Sequence, residues 1–506
     1  MNEKIQIIFG LLGGLAVFIY GMNMMSECLQ KAAGDKMKSI LALLTKNPLL
    51  GVLAGALTTA VLQSSSATTV MAIGFVSAGL MNLPQAISII FGANIGTTMT
   101  AQIIAFKISD YIYVIIFIGF LISFVTKSEK VKSIGQTIFA FGLLFLGIET
   151  MGDVMKPLAS SPVFTDLIGR VAHIPVLGVA VGTVMTLVVQ SSSATIAVLQ
   201  NFASQPGPDG VTSILGLAGA IPILLGDNIG TTITALLASI GQSKDAKRTA
   251  VAHCIFNISG CFLFIWFVKP FAALIQNISP KGPEIEAISR QIANAHTVFN
   301  ITMTLIWVCL IKLMVKIVMT LIPDGKKGVE DPGSPIYLDE NIISQPAAAL
   351  QLVAKEIFRM SDQVGDILKK TIELVKNEEV KSIDGLKENG EQVERLGKCI
   401  TEYLAALFSS GSLTEQQAAQ TASLMCVLSD VERMGTLSVE MAECMLERSD
   451  RKYKYTPEAM DELQKSLKVL NKMFCDSLKA LQGDDGIEPG KMMKRKDKLL
   501  DLDIKM

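Results

Sequence analysis

Two stretches of this chain, 63–68 and 190–195, contain the same polar residues, QSSSAT, inside otherwise apolar sequence. The polar side chains of the two copies are Gln63, Ser64, Ser65, Ser66, Thr68, Gln190, Ser191, Ser192, Ser193 and Thr195. Hydroxyl groups, together with the N–H groups of a helix N-terminus, can bind an oxyanion. Hydroxyl and amide oxygens can also coordinate a desolvated sodium ion, because hard cations prefer oxygen ligands. The repetition therefore predicts two copies of one polar site.

A second pair of motifs follows, FGANIGTTMTA at 91–101 and LGDNIGTTITA at 225–235. Their candidate ligands are Asn94, Thr97, Thr98, Asn228, Thr231 and Thr232. The glycines predict that each motif interrupts an apolar helix and exposes backbone N–H and C=O groups. In lipid such groups must find partners, and a bound anion and sodium ion would supply them.

Asp227 is the one ionisable residue inside these motifs, and Ala93 stands at the equivalent position of the first copy. A carboxylate at membrane depth is costly and is usually functional or paired. We expect Asp227 to be the counter-charge of a coupling sodium ion. The alternative is an aspartate that lies in a water-filled vestibule or caps a helix end.

Serine, threonine and glycine also let membrane helices pack closely, and a single SSS or GTT is more often packing than a site. Four such motifs in a two-fold arrangement favour the site.

The composition indicates a membrane protein, because half of the residues are hydrophobic and the mean hydropathy is +0.45. A spanning helix needs about 20 mostly apolar residues. The candidate crossings are 5–25, 84–106, 110–126, 134–151, 213–240, 249–268 and 293–322. The QSSS stretches divide two further apolar segments, 49–80 and 174–200, into short arms. These arms predict re-entrant hairpins rather than crossings.

Basic connections at 31–46, 127–132 and 244–248 are expected on the cytoplasmic side. This assignment places the N-terminus outside and leaves three crossings between the hairpins. An odd number of crossings inverts the second copy relative to the first, as in transporters with inverted repeats. The predicted fold is therefore an all-α polytopic membrane protein with inverted repeats, two re-entrant hairpins and broken helices. The predicted membrane domain, 1–322, contains repeat one (about 5–126), repeat two (about 134–268) and a final helix (293–322).

AHCIFN at 252–257 and AHTVFN at 295–300 form another pair, which occurs only in the second half of the membrane domain. In each, a histidine (His253 or His296) precedes an asparagine (Asn257 or Asn300) by one helical turn. The two pairs could face each other across the bundle. We favour interhelical hydrogen bonding over substrate contact, and we expect no transition-metal site.

The duplicated QSSSAT and G-x-N-I-G-T-T motifs resemble those of the type II sodium/phosphate cotransporter family over about residues 5–320. This resemblance implies sodium-driven uptake of inorganic phosphate. It also places phosphate and sodium at 63–66 and 190–193, with the NIGTT segments beside them. The residues themselves indicate an oxyanion and sodium, and sulfate or a small carboxylate would suit the same groups. A homodimer is suggested by the resemblance alone.

Beyond a linker at 323–346, the chain becomes charged and its apolar residues become periodic. Helices are predicted at 346–376, 385–409, 414–448 and 457–482, with Thr414 and Gln417 forming a capping box. They predict a cytoplasmic antiparallel bundle over 347–482. Residues 483–506 are expected to be a flexible tail.

EIFRMSD at 356–362 and DVERMGT at 430–436 resemble the signature of PhoU-like domains, which regulate phosphate uptake. Signature residues of that family can hold metal clusters. Thr436 replaces the usual aspartate, so we favour interhelical salt bridges for Glu356, Arg359, Glu432 and Arg433 over metal ligation.

The leading hypothesis is a symporter in the cell membrane that imports phosphate with sodium by alternating access. The alternatives are a sodium-coupled carrier of another oxyanion and a membrane phosphate sensor without net transport. The sequence shows no nucleophile–base pairing and no phosphate-binding loop, so we do not expect an enzyme. We expect phosphate, sodium and the bilayer as partners, no nucleic acid, and no cofactor besides Na⁺ as the coupling ion.

Overall fold

The chain folds into helices that form two compact units, Met1–Gly325 and Lys326–Met506. The computed structural model describes residues 3–33, 47–77, 81–106, 108–159, 174–207, 209–323, 331–343, 345–376, 382–411, 413–481 and 489–505. These residues contain no β-strand, and an isolated bridge joins Pro206 and Ser213. The predicted all-α fold class is confirmed.

The helices of the first unit follow the apolar segments of the sequence. They are α1 Glu3–Ala33, α2 Pro48–Leu62, α3 Ser65–Ser77, α4 Leu83–Ile104, α5 Ile112–Val125, α6 Glu129–Ala159, α7 Pro175–Val189, α8 Ser192–Ala203, α9 Gly216–Ala238, α10 Lys244–Phe264, α11 Val268–Ile278, α12 Glu284–Cys309 and α13 Ile311–Leu321.

Six helical segments of the described residues are long and apolar enough to cross a membrane. They are Gln6–Leu29, Leu83–Ile104, Val131–Met155, Gly216–Ala238, Lys244–Ile278 and Glu284–Cys309. The prediction of a polytopic membrane protein is confirmed. The crossing predicted at 110–126 is shorter than expected, because its α-helix has 14 residues and follows a single 3-10 turn at Ser109–Tyr111.

Local sequence explains where α2 and α4 begin. Asn47 accepts a hydrogen bond from the N–H of Leu50, and Pro48 occupies the first turn of α2. Asn82 and Gln85 form a reciprocal capping box at the start of α4. These caps fix the point at which each helix leaves its connecting loop.

The predicted interruption of helices at the NIGTT motifs is wrong, because α4 and α9 run through them without a break. Their glycines provide close contact between helices instead. A Cβ atom on Gly92 would lie 2.0 Å from the carbonyl oxygen of Val52 on α2. A Cβ atom on Gly226 would lie 2.1 Å from the carbonyl oxygen of Val179 on α7. Only glycine permits these equivalent approaches of α4 to α2 and of α9 to α7.

The final crossing predicted at 293–322 is present but lies earlier in the chain, at Glu284–Cys309. The spanning helix α12 ends at Cys309, and the shorter helix α13 begins at Ile311. In α13, Met314 and Val318 are buried, whereas Lys312 and Lys316 are exposed. The 26 residues of α12 already suffice to cross a bilayer, and the exposed lysines of α13 do not suit a continued crossing.

The second unit contains α14 Pro346–Lys376, α15 Asp384–Ser409, α16 Glu415–Asp450, α17 Pro457–Leu481 and α18 Pro489–Lys505. Helix α14 packs against α15, α16 and α17, so the structure forms the bundle within the range 347–482. The capping box of Thr414 and Gln417 is confirmed. The tail predicted at 483–506 is helical over 489–505, where Arg495 forms an ion pair with Asp476 on α17. Residues 324–330 of the predicted linker lie outside the described residues.

Candidate substrate and ion site

Both QSSS stretches break a helix in the same way. Gln63 (φ 51°, ψ 25°) ends α2, and Gln190 (φ 54°, ψ 24°) ends α7. Left-handed conformations are uncommon for residues other than glycine, and their recurrence at equivalent positions indicates a shared local structure. Ser64 and Ser191 then cap α3 and α8, accepting hydrogen bonds from the N–H groups of Ala67 and Ala194.

A hydrogen bond between threonines joins the two arms of each break. Thr59 and Thr68 lie 2.8 Å apart through their hydroxyl oxygens, and Thr186 and Thr195 lie 3.0 Å apart. The sequence analysis missed Thr59 and Thr186. Both lie four residues before the glutamine of their motif, so extending the repeat upstream would have found them.

Asp227 is hydrogen-bonded to the threonine pair of the second break. Its side chain is fully buried, and the Thr186 hydroxyl donates to Asp227 Oδ1 at 2.7 Å. Oδ2 has no hydrogen-bond partner among the described residues. Ala93 replaces the carboxylate in the first copy. The two breaks therefore have the same backbone conformation but differ by one buried carboxylate.

The NIGTT threonines use their hydroxyl protons within their own helices. Thr97 and Thr98 donate to the carbonyls of Ala93 and Ile95, and Thr231 and Thr232 donate to those of Asp227 and Ile229. A hydroxyl that donates to a backbone carbonyl still has oxygen lone pairs. These four buried threonines can therefore offer oxygen to a cation but have no proton left for an anion.

The two motif asparagines have the same amide contact but different oxygen contacts. Asn94 donates to the carbonyl of Ile90, and Asn228 donates to that of Leu224. His296 Nε2 on α12 lies 3.2 Å from Asn228 Oδ1. The favoured interhelical hydrogen bond is therefore present for His296.

The two histidines do not face each other. Two contacts show that helices α10 and α12 are antiparallel. Phe264 packs edge to face on Phe299 with ring centroids 5.0 Å apart, and Ser259 accepts from the indole N–H of Trp307. From this register, His253 and His296 are separated by on the order of 20 Å along the helix axes. They lie toward opposite ends of the helix pair.

Contacts across the sequence halves bring the two copies together. Helix α3 packs against α4, α9 and α10, and α8 packs against α9, α4 and α12. The hydroxyls of Ser66 and Thr234 lie 3.2 Å apart, which links the first break to the second NIGTT helix. Thr100, the counterpart of Thr234, donates instead to Gln63 Oε1 at 3.0 Å.

Most candidate residues are buried in this arrangement. The buried ones are Gln63, Ser65, Thr68, Asn94, Thr97, Thr98, Ser192, Ser193, Thr195, Asp227, Asn228, Thr231 and Thr232. Ser64, Ser66 and Ser191 are partly exposed, and Gln190 is exposed. The first glutamine therefore contacts the core through Thr100, whereas the second lies at the surface.

The described residues contain no group of three or more His, Cys, Asp or Glu side chains that could hold a metal ion. In the second unit, Glu356 and Arg359 form an ion pair within α14, so the predicted interhelical salt bridge is wrong for this pair.

These features define an all-helical membrane protein with a duplicated polar core. The model of the Na+/Pi-cotransporter family matches residues 17–153 and, a second time, residues 151–279. The PhoU domain model matches residues 357–445. The chain belongs to the Na+/Pi-cotransporter family, which is a family of transporters, and carries a PhoU domain.

Several named proteins are similar to this chain. Uncharacterized protein YqeW of Bacillus subtilis (strain 168) is 35% identical over 263 residues, 52% of this chain and 83% of the relative. Putative inorganic phosphate export protein YjbB of Salmonella typhimurium is 23% identical over 443 residues, 87% of this chain and 78% of the relative. Sodium-dependent phosphate transport protein 2A of Rattus norvegicus is 39% identical over 99 residues, 19% of this chain and 15% of the relative. No solved structure matches the chain.

Proposed function

We propose that this protein is a symporter that carries inorganic phosphate into the cell together with sodium. The observation that carries the proposal is the pair of left-handed breaks at Gln63 and Gln190, each followed by a serine-rich helix N-terminus. Membership of the Na+/Pi-cotransporter family supports phosphate as the substrate. The bundle would regulate this transport from the cytoplasm.

Phosphate would bind between the N-termini of α3 and α8. The first N–H groups of a helix have no intrahelical partner and favour an anion. Ser65, Ser192 and Ser193 are buried there and add hydroxyl donors. The proposed phosphate site uses neutral donors, which suits a carrier that must also release its substrate.

Sodium would bind beside the phosphate at the NIGTT threonines and Asp227. The threonine oxygens keep lone pairs after donating to their own helices, and Asp227 Oδ2 is an acceptor without a partner among the described residues. Sodium would offset both the buried carboxylate and the negative charge of phosphate. This charge balance gives a physical reason for the two solutes to move together.

Alternating access would come from two inverted repeats whose hairpins enter the membrane from opposite sides. The equivalent packing of α3 against α9 and α10, and of α8 against α4 and α12, supports this arrangement. The basic connections support an outside N-terminus and a cytoplasmic bundle. The contact of Ser66 with Thr234 would break and re-form as the repeats move.

Export is the second candidate direction. The relative named as a putative phosphate export protein matches 87% of this chain, including both units. The relative named for sodium-dependent transport matches 19%. Import follows from sodium coupling where the sodium gradient is inward, so a measured sodium requirement separates the two directions.

The test is uptake of radiolabelled phosphate into proteoliposomes with an inward sodium or choline gradient. We expect sodium-driven accumulation by the wild-type protein and at least tenfold less by Ser65→Ala and Ser192→Ala. Ser88→Ala is the matched control, because Ser88 is a buried serine that bonds its own helix at Pro84. Normal uptake by both site variants would refute the phosphate site. Saturable binding without accumulation would favour a sensor, and transport of sulfate alone would favour another oxyanion.

A further inference from the structure

The segment Asp331–Ile343, here called the strap, precedes the bundle in the sequence and is bound along it. Helix α14 contacts the strap through Lys355, Glu356, Arg359 and Gln363. Helix α15 contacts it through Arg395 and Tyr403. Glu356 and Arg359 belong to the first PhoU-like signature, which ties this signature to the strap.

The side chain of Glu356 binds the backbone of the strap. Its fully buried carboxylate accepts hydrogen bonds at Oε2 from the N–H groups of Ile336 and Tyr337, at 3.0 and 2.6 Å. Its other oxygen, Oε1, accepts from Arg359 Nε at 2.6 Å. Both oxygens are therefore in use, and three donors offset the cost of burying the charge.

Arg359 binds the carbonyl side of the same segment. Its guanidinium donates to the carbonyls of Pro332 and Ser334, at 3.1 and 2.7 Å. Gln363 donates to the same Pro332 carbonyl at 3.0 Å. Together with Glu356, these side chains bind the backbone N–H and C=O groups of the strap.

Helix α15 contacts the strap at two further points. Arg395 pairs with Asp331, whose pKa is lowered first by the N–H of Gly333, then by Ser334 and Arg395. Tyr403 donates its hydroxyl to the carbonyl of Asp339 at 2.8 Å. The strap is thus bound at Asp331 and at Asp339 as well as at its centre.

Metal ligation by this signature does not fit the geometry. The two oxygens of Glu356 are engaged by N–H donors, and the positive guanidinium of Arg359 lies where a cation would bind. Asp362, the last residue of the motif, is exposed. The metal clusters implied by the PhoU-like resemblance would have to displace both the strap and Arg359.

We propose that the first signature is a binding site for the chain's own strap, and that the bound strap shortens the connection between the two units. In the membrane unit, Lys244 and Arg248 donate to the carbonyls of Pro323 and Ile322. With the strap bound, the connection is residues 324–330. Release of the strap extends it to residues 324–345. Binding of the strap therefore sets how many residues connect the two units.

The test is hydrogen–deuterium exchange of the full-length protein in detergent, followed on peptides that cover the strap. The N–H groups of Ile336 and Tyr337 should exchange at least tenfold more slowly than an unprotected peptide. Glu356→Ala and Arg359→Ala should each remove at least tenfold of this protection. Gln363→Ala should remove less of the protection, because it leaves the buried carboxylate of Glu356 in place.

The matched control is Arg433→Ala at the equivalent position of the second signature, where the arginine is exposed on α16. Arg433→Ala should leave strap exchange unchanged. Unprotected strap amides in the wild-type protein would overturn the proposal, and so would a loss of protection on adding millimolar Mn²⁺ or Mg²⁺. Since exchange is measured without transport, this result is independent of the proposed function.

Discussion

Replacing Asp227 with asparagine keeps the shape of the side chain and removes its charge. Asp227 is fully buried, receives one hydrogen bond from Thr186, and forms no ion pair among the described residues. If sodium is its partner, Asp227→Asn should weaken sodium binding more than phosphate binding. The same substitution should stabilise the sodium-free protein, because a buried charge without a counter-charge is costly.

The expected magnitude follows from Coulomb's law. Two unit charges about 4 Å apart interact by about 4 kcal/mol at an effective dielectric constant of about 20. Desolvation of both ions cancels part of this energy. Each 1.4 kcal/mol corresponds to about a factor of ten in affinity. If a third of the Coulomb energy remains after desolvation, the sodium affinity still changes about tenfold. We expect the sodium KM to rise at least tenfold and the phosphate KM at saturating sodium to change little.

Thermal unfolding in detergent gives a readout that does not depend on transport. Sodium at about 100 times its Kd stabilises a protein by about 2.7 kcal/mol. Wild-type Tm should therefore rise when choline is replaced by sodium, whereas Asp227→Asn should start with a higher Tm and show no sodium shift. Asp209→Asn is the control, because Asp209 is an exposed carboxylate bonded within its own loop.

An unchanged sodium KM together with an unchanged sodium-induced shift in Tm would refute Asp227 as the counter-charge. A change in Tm alone would assign it a structural role and leave the serine site untouched.

Three further substitutions test the packing and polar contacts. Gly182→Ala should lower the free energy of unfolding by about 1–3 kcal/mol, because its Cβ would lie 2.0 Å from the carbonyl of Ile223; Gly13→Ala, with nothing within 4 Å, should not. His296→Ala should lower Tm and raise the sodium KM by freeing Asn228, and His296→Gln should restore both. Burial, and then Glu394, raise the pKa of Glu432, so its charge destabilises the bundle increasingly as pH rises. Glu432→Gln should therefore raise the Tm of the bundle at pH 7 and have no effect below about pH 4.

The sequence predicts the helices and the polar breaks well because both depend on local residue patterns. The αL turns at Gln63 and Gln190 lie where the QSSS motifs interrupt apolar segments. The four predicted bundle helices agree with the structure to within two residues at their ends. Apolar periodicity and caps such as Thr414 with Gln417 act over one or two helical turns.

The errors arise where packing between distant segments decides the outcome. A glycine in the G-x-N-I-G-T-T motifs has the same local signal whether it breaks a helix or allows close approach. For Gly92 and Gly226, the nearby carbonyls of Val52 and Val179 decide between the two. Thr186 bonds to Asp227, which lies 41 positions away in the chain. The binding of the strap to Glu356 likewise depends on the bundle. None of these contacts has a local sequence pattern.

The location of the bound anion tests the central claim most directly. Arsenate has the shape and charge of phosphate, and the anomalous signal of arsenic would locate it in crystals grown with sodium. The account predicts a sodium-dependent peak between the N-termini of α3 and α8, within hydrogen-bond distance of Ser65 or Ser66 and of Ser192 or Ser193. A specific peak elsewhere, or one at this position that is equally strong in choline, would contradict joint binding of phosphate and sodium at the paired breaks.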